Sequence, residues 1–339
     1  MKINKLNSKK KLIDYIDSYN KKFDKIFLLS SSVIINLYPF IERLNVEIII
    51  CEEGEKCKSI NHYKKIIECL VSRGCNKKSL IIGMGGGTIT DLSGFVASSY
   101  MRGIKHIFIP TTLLCMVDAS IGGKTALNFN NIRNLIGTFK EPEEVILYFN
   151  FLETLNTNEL INGYAEIIKY GLIMDDKLFE FIEKNISSLI LSNSNKHIEH
   201  IIEKCIEHKI DIVKSDKFDN NIRLILNFGH TVGHALESYY NYRLPHGKAI
   251  IYGMKVASYL SYKDKNLTKV DYSRIDFLIK ELSLPKLKIS DLNKMEKLIK
   301  NDKKNINNQL YYITLNKIGK AIIEHNYNKK KIINALKIL

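Results

Sequence analysis

The chain has 339 residues, 45% of them apolar, and a formal net charge of +15. That length allows two domains with a sizeable core; no run approaches the roughly 18 apolar residues that span a bilayer, and residues 1–11 lack the apolar stretch of a secretory signal. The six cysteines show no CxxC pair, which predicts free thiols in a reducing, cytoplasmic setting, and the lysines are scattered rather than gathered into a stripe, so neither a membrane nor a nucleic-acid partner is expected.

In chain order, the β-branched runs at 25–29, 46–51, 80–82 and 106–109 read as strands, with helical stretches at 60–73 and 91–98 among them. That alternation predicts an α/β domain with a parallel sheet and crossover helices. Beyond Pro142 strand-like runs become sparse. Helical patterns at 157–173, 176–191, 197–215 and 230–239 predict a mainly α-helical second domain, so the expected division is 1–145 and 146–339. Late in the chain, 310–315 and 321–323 read as a hairpin around Lys317-Ile318-Gly319.

Two glycine turns carry chemistry in the first half. Gly85-Gly86-Gly87 follows the apolar run at 80–82 and leads into a helix, an arrangement that points backbone N–H groups at a phosphate. Gly122-Gly123 ends in Lys124, a cation able to reach an anionic group. In the second half, His230 and His234 stand at i and i+4, on one helix face, and His246 follows a proline turn. Glu166 and Lys169 are an i, i+3 pair. Two histidines, one carboxylate and an open position describe a catalytic divalent-metal site. The spacing leaves open which two of the three histidines bind. The glycines before His230 and His234 permit close approach by a ligand or another backbone. Lys124, Arg133, Lys169, Lys209 and Arg223 lie in or beside these motifs, and several cations around an ion predict a polyanionic ligand.

Taken together, the blocks resemble the 3-dehydroquinate synthase family of the shikimate pathway. The matching segments include Glu53-Gly54-Glu55 through Lys58-Ser59, the Gly85 turn, Pro110-Thr111-Thr112-Leu113-Leu114 and Asp118 through Lys124. Asn134-Leu135-Ile136-Gly137, the Glu166 segment, the stretch into His234, His246-Gly247 and Asp302-Lys303-Lys304 continue it in the same order. The resemblance implies a Rossmann-like NAD-binding domain followed by an α-helical metal- and substrate-binding domain. It implies conversion of 3-deoxy-D-arabino-heptulosonate 7-phosphate to 3-dehydroquinate and phosphate, through transient NAD oxidation, phosphate β-elimination, re-reduction and aldol closure.

By the same resemblance Glu166, His230 and His246 hold one Zn or Co ion, and His234 becomes a polar contact near the substrate phosphate. NAD falls to Glu53, Gly54, Glu55, Lys58, Gly87, Thr88, Ile89, Thr90, Asp91, Thr111, Thr112, Lys124 and Arg133, with Phe151, Leu152, Glu153 and Thr154 nearby. Lys209, Arg223 and Asn227 take the substrate carboxylate side. Asn134, His234 and Lys303 (or Lys304) take the phosphate side, and Lys169 and Asp118 stand at the reacting centre. Lys124 touches substrate as well as cofactor. Arg102 reaches the phosphate pocket of a neighbouring subunit, which implies a homodimer.

Departures from the family pattern are Arg133 in place of lysine, Thr90 in place of a glycine, Lys217, Asp219 and Asn221 before Arg223, and Lys248 after His246-Gly247. Thr90 matters if its position needs a positive φ. The rival readings are another sugar phosphate cyclase, whose substrate lacks the carboxylate, and a metal-dependent alcohol or glycerol dehydrogenase, which releases NADH. A basic nucleic-acid-binding protein with a structural metal is a more distant one.

Overall fold

In the computed structural model, which describes residues 1–130, 132–191, 197–300 and 310–339, the apolar runs of the first part of the chain become strands of one sheet. The chain divides into two units, Met1–Asn156 and Thr157–Leu339. The first contains β1 (Lys2–Lys5), α1 (Lys9–Ser18), β2 (Ile26–Ser31), α2 (Ser32–Leu37), β3 (Glu47–Cys51) and α3 (Ile60–Ser72). It continues with β4 (Leu80–Gly85), α4 (Gly87–Ser99), β5 (Lys105–Pro110), β6 (Lys124–Phe129), β7 (Ile132–Phe139) and β8 (Glu144–Leu147).

Six strands form a sheet in the order β1-β8-β5-β4-β2-β3, every pairing parallel. The central strand β4 is buried throughout, as a strand covered by helices on both faces must be. Phe27, Leu29, Ile81, Leu92, Val96 and Leu70 build the core on one face. β6 and β7 pair separately as an antiparallel hairpin. The sequence reading missed β1, α1, α2 and β6 to β8; most of these segments are short or mixed in polarity, whereas α1 carries a legible signal in its Ser8 N-cap and the buried i, i+4 pair Leu12 and Ile16. The first unit runs past residue 145. β8 joins the sheet, and the Tyr38 hydroxyl ties down the following turn, 3.2 Å from the Phe151 carbonyl oxygen and 2.5 Å from Thr154 Oγ1.

The second unit contains α5 (Thr157–Met174), α6 (Asp176–Leu191), α7 (Ile198–Ser215), α8 (His230–Tyr239), α9 (His246–Lys263), α10 (Lys269–Glu281) and α11 (Leu292–Lys300). The hairpin β9 (Tyr312–Lys317) and β10 (Lys320–Glu324) follows, then α12 (Lys329–Ala335). Every residue of α5 from Leu160 to Ile173 is buried, so this helix is the axis of the unit, with α6, α7 and α9 packed around it. Against α9 lies α8, and glycine sets their separation. A Cβ at Gly253 would overlap the Gly229 carbonyl oxygen, and one at Gly233 would meet the Ala249 carbonyl oxygen at 3.2 Å. Asp302, Lys303 and Lys304 lie outside the described residues. All six cysteines are free, and among the described residues no helix is long and apolar enough to cross a membrane.

Candidate active site

A helix buried on all sides can carry charged residues only if they are paired. Glu166 and Lys169 meet that condition on α5: the Lys169 ammonium contacts Glu166 Oε2, and the two side chains are 2% and 1% exposed. The other carboxylate oxygen faces histidine. Glu166 Oε1 lies 3.6 Å from His230 Nε2 and 3.6 Å from His246 Nε2. One ligand atom from each of the three lies within 4.8 Å of the others. Bonds of about 2.1 Å at tetrahedral angles hold ligand atoms about 3.4 Å apart, so these separations fit a zinc-like ion with little adjustment.

Each imidazole is also held from behind. His230 Nδ1 is 3.1 Å from the Phe228 carbonyl oxygen, and His246 Nδ1 is 3.4 Å from Glu237 Oε2. Burial alone would lower the His246 pKa, but the Glu166 and Glu237 carboxylates outweigh it and raise the value to about 10. His234 keeps company with a different group: His234, Glu237 and His246 form a second set of donors within 4.8 Å. The i, i+4 spacing would let His230 and His234 meet one ion but left open which two of the three histidines bind. In the structure His230 and His246 face Glu166. Glu237 was missed by the sequence reading, although it lies seven residues after His230 and three after His234, on the same face of α8.

The close approach that the glycines before His230 and His234 allow is to the backbone of α9, not to a ligand. Gly229 has φ of 78°, which breaks the preceding turn and starts α8. Lys209 and Arg223 are buried in the same unit, 5% and 2% exposed. Arg223 Nη1 donates to the Lys217 carbonyl oxygen at 2.9 Å, and Asp216 Oδ2 accepts from the backbone N–H of Asn221 and Arg223. Lys217 and Asn221 thus act there through backbone groups, which explains why their side chains can depart from the pattern. Lys248 donates to Asn158 Oδ1 at 2.8 Å. Asn227 Nδ2 is buried and has no hydrogen-bond partner among the described residues.

In the first unit, β4 passes through Gly86 into α4, whose N-cap makes no side-chain hydrogen bond. Thr111 follows β5 and donates its N–H to the Gly85 carbonyl oxygen at 2.9 Å, and its hydroxyl is buried without a hydrogen-bond partner among the described residues. Thr112 lies beside Gly86, where a Cβ would come within 3.3 Å of Thr112 Cγ2. Thr90 sits in the first turn of α4 with ordinary helical backbone, its hydroxyl donating to the Gly87 carbonyl oxygen at 3.1 Å. No glycine conformation is needed there. Lys58, 2% exposed, pairs with Asp91 at 2.5 Å and also contacts Asn134 Oδ1. Asn134 is thereby grouped with two residues of the cofactor set. Asn128 Nδ2 donates to Glu55 Oε2 at 2.7 Å and so joins the Glu53–Lys58 turn to the β6–β7 hairpin.

Glu53 accepts from Ser32 Oγ at 3.2 Å, and Gly54 turns the chain with φ of 61°. Gly87 and Thr88 open α4, while Ile89 is buried beneath Gly85. Lys124 opens β6, Arg133 stands on β7, and Asp118 lies in a single π turn, Cys115–Ala119. Phe151 and Leu152 are buried in the core, with Phe151 packed on Tyr38 and Tyr148; Glu153 and Thr154 are exposed. Arg102 is exposed at φ of 61°, and Lys77 holds its turn by donating to the carbonyl oxygens of Met101 and Gly103 at 2.8 and 2.6 Å.

Comparison with known proteins gives this geometry a family. A model described as 3-dehydroquinate synthase N-terminal matches residues 48–162, and one described as 3-dehydroquinate synthase C-terminal matches residues 163–305. The chain belongs to the 3-dehydroquinate synthase family. Among its relatives, the 3-dehydroquinate synthase of Dictyoglomus thermophilum is 42% identical over 328 residues, covering 95% of this chain and 91% of that protein. Among solved structures, 2-deoxy-scyllo-inosose synthase, complexed with carbaglucose-6-phosphate, NAD+ and Co2+, superposes with a TM-score of 0.87. It is 25% identical, and the match covers 99% of this chain and 96% of that one. The 2-epi-5-epi-valiolone synthase of Streptomyces hygroscopicus, solved with NAD+ and Zn2+, gives a TM-score of 0.89 at 24% identity, covering 99% and 95% of the two chains. For the 3-dehydroquinate synthase family fold, this places the chain among proteins built as a parallel-sheet unit followed by a helical one.

Proposed function

We propose that this chain is a 3-dehydroquinate synthase, a carbon–oxygen lyase that converts 3-deoxy-D-arabino-heptulosonate 7-phosphate into 3-dehydroquinate and phosphate. The observation that carries the reading is the Glu166, His230 and His246 donor set in a chain 42% identical to a curated member of the family. When bound, NAD supplies a reversible hydride acceptor, and Zn2+ or Co2+ supplies Lewis acidity at neighbouring substrate oxygens.

The protein's own residues bind, orient and hold charge. Glu166, His230 and His246 are the groups that would hold the ion. Lys169 fixes the Glu166 carboxylate and brings an ammonium to the reacting centre, with Asp118. Lys209, Arg223 and Asn227 take the substrate carboxylate, and the unpartnered Asn227 Nδ2 supports that role. His234 and Asn134 serve the phosphate, as does Lys303. Lys124 serves substrate and cofactor. The Gly87 to Asp91 turn, Thr111, Thr112, Arg133 and the Glu53 to Lys58 turn hold NAD, with the Phe151 to Thr154 turn beside them. Arg102 serves a neighbouring subunit in a homodimer.

The test is incubation with the heptulosonate phosphate, NAD and Zn2+. Equimolar phosphate and dehydroquinate with no net NADH is the expected result. Stoichiometric NADH without phosphate would mean a dehydrogenase. Turnover of a sugar phosphate that lacks the carboxylate, in preference to the heptulosonate, would mean another cyclase.

A further inference from the structure

Two carboxylates touch His246, from opposite sides of its ring. Glu166 Oε1 is 3.6 Å from Nε2, and Glu237 Oε2 is 3.4 Å from Nδ1. Glu237 is 3% exposed and reaches His246 from α8, the helix that also carries His230. A histidine that binds metal through one nitrogen offers the other as an N–H donor, and the acceptor for that N–H decides which nitrogen faces the ion. For His230 the acceptor is a backbone carbonyl, that of Phe228, at 3.1 Å. His246 has a buried carboxylate in the corresponding place.

We propose that Glu237 is the positioning residue of the metal site: it accepts the Nδ1–H of His246, holds the ring with Nε2 toward Glu166, and strengthens that nitrogen as a donor. The inference rests on the Glu166–His230–His246 reading above. It also explains why two donor sets share His246. With Nδ1–H committed to Glu237, the set containing His234 cannot bind through that nitrogen, so the ion is directed to Glu166. Placing the acceptor on α8 couples the two histidine helices: the orientation of the α9 ligand depends on the helix that supplies the α8 ligand.

The test uses the full-length protein, stripped of metal and titrated with Zn2+ against a chromophoric chelator. Glu237→Gln is expected to weaken zinc binding about 10- to 100-fold with the melting temperature of the metal-free protein little changed. Glu237→Asp is expected to recover part of the affinity. Zinc affinity within twofold of wild type in Glu237→Gln would overturn the proposal while leaving the donor set intact. A wild-type protein that fails to bind one equivalent of zinc would overturn both. A second measurement does not depend on the variants folding. In the zinc-loaded wild type, nitrogen NMR of His246 is expected to show a protonated Nδ1 and a metal-bound Nε2. Metal on Nδ1 would place the ion in the His234 set and refute the proposal.

Discussion

Lys169 and Glu166 form an ion pair one helical turn apart on α5, with neither side chain more than 2% exposed. The pair has no bulk solvent to fall back on, so each charge stabilises the other. Breaking a buried pair by removing one partner costs about 3–5 kcal/mol, whereas replacing both partners by neutral groups is often close to neutral. Glu166→Gln should therefore lower the urea midpoint of the metal-free protein strongly. The double variant Glu166→Gln with Lys169→Met should regain at least half of the loss. Urea unfolding in the presence of a chelator checks this; a double variant as unstable as the single one would show that the pair is not what holds the two charges in place.

Acid sensitivity should centre on His106. This residue of β5 is 1% exposed, both ring nitrogens lack hydrogen-bond partners among the described residues, and burial, aided by the Lys140 charge, pushes its pKa down to about 3. The folded value lies below the unfolded one, near 6.5. The neutral ring thus favours the fold fully above about pH 6.5, and that contribution is lost as pH falls toward 3. Between pH 7 and pH 5 the loss is about 2 kcal/mol, from linkage. His106→Leu should flatten this part of the profile. Melting temperatures at the two pH values, wild type against variant, decide it; parallel slopes would place the acid sensitivity elsewhere.

Asn227 separates substrate binding from stability. Its Nδ2 is buried with no hydrogen-bond partner among the described residues, which is unfavourable in the free protein unless, as proposed, a ligand accepts from it. Asn227→Leu should raise KM for the heptulosonate phosphate about tenfold, the worth of one hydrogen bond to a charged group. NAD affinity should stay within twofold and the melting temperature should hold or rise. A drop in melting temperature with unchanged KM would make Asn227 a structural residue.

Thr90 gives a converse case. Its hydroxyl bond to the Gly87 carbonyl oxygen and its helical backbone mean that a glycine there adds freedom without a use for it. Thr90→Gly should destabilise the protein by about 1–2 kcal/mol, from helix propensity and the lost hydrogen bond, with NAD affinity unchanged within twofold. Calorimetric titration with NAD and a thermal melt read the two effects. A gain in NAD affinity would restore the case for glycine at this position.

How much of this was legible beforehand follows from what periodicity reports. α5, α6 and α7 were readable because a 3.6-residue pattern sustained over four or five turns is hard to mimic; α9, as long as α5, was not read, since buried apolar residues on most of its faces blur the period. β1, with the sequence Lys2-Ile3-Asn4-Lys5, offers no such pattern, and it is a strand only because β8 lies beside it. In the site, the spacing of His230 and His234 gave their shared face but could not show that His246, from another helix, stands opposite Glu166. Glu237 drew no reading at all, because nothing in its local sequence marks it apart from other helix carboxylates. Its meaning depends on the position of α9, which no local pattern encodes. Thr90 misled in the opposite direction, since residue type suggested strain where the backbone is regular.

The contact between Gly253 and the Gly229 carbonyl oxygen bears on how the metal site would tolerate change. Under the proposed ligand set, the coordination sphere would be specified partly by residues that own no donor atom. A methyl group at 253 would wedge α8 from α9 and shift His230 relative to His246 while every ligand remained in the sequence. An inventory of ligands would score such a chain as intact. The spacing of these two helices, set by glycine, is thus as much a condition of the proposed site as the histidines themselves.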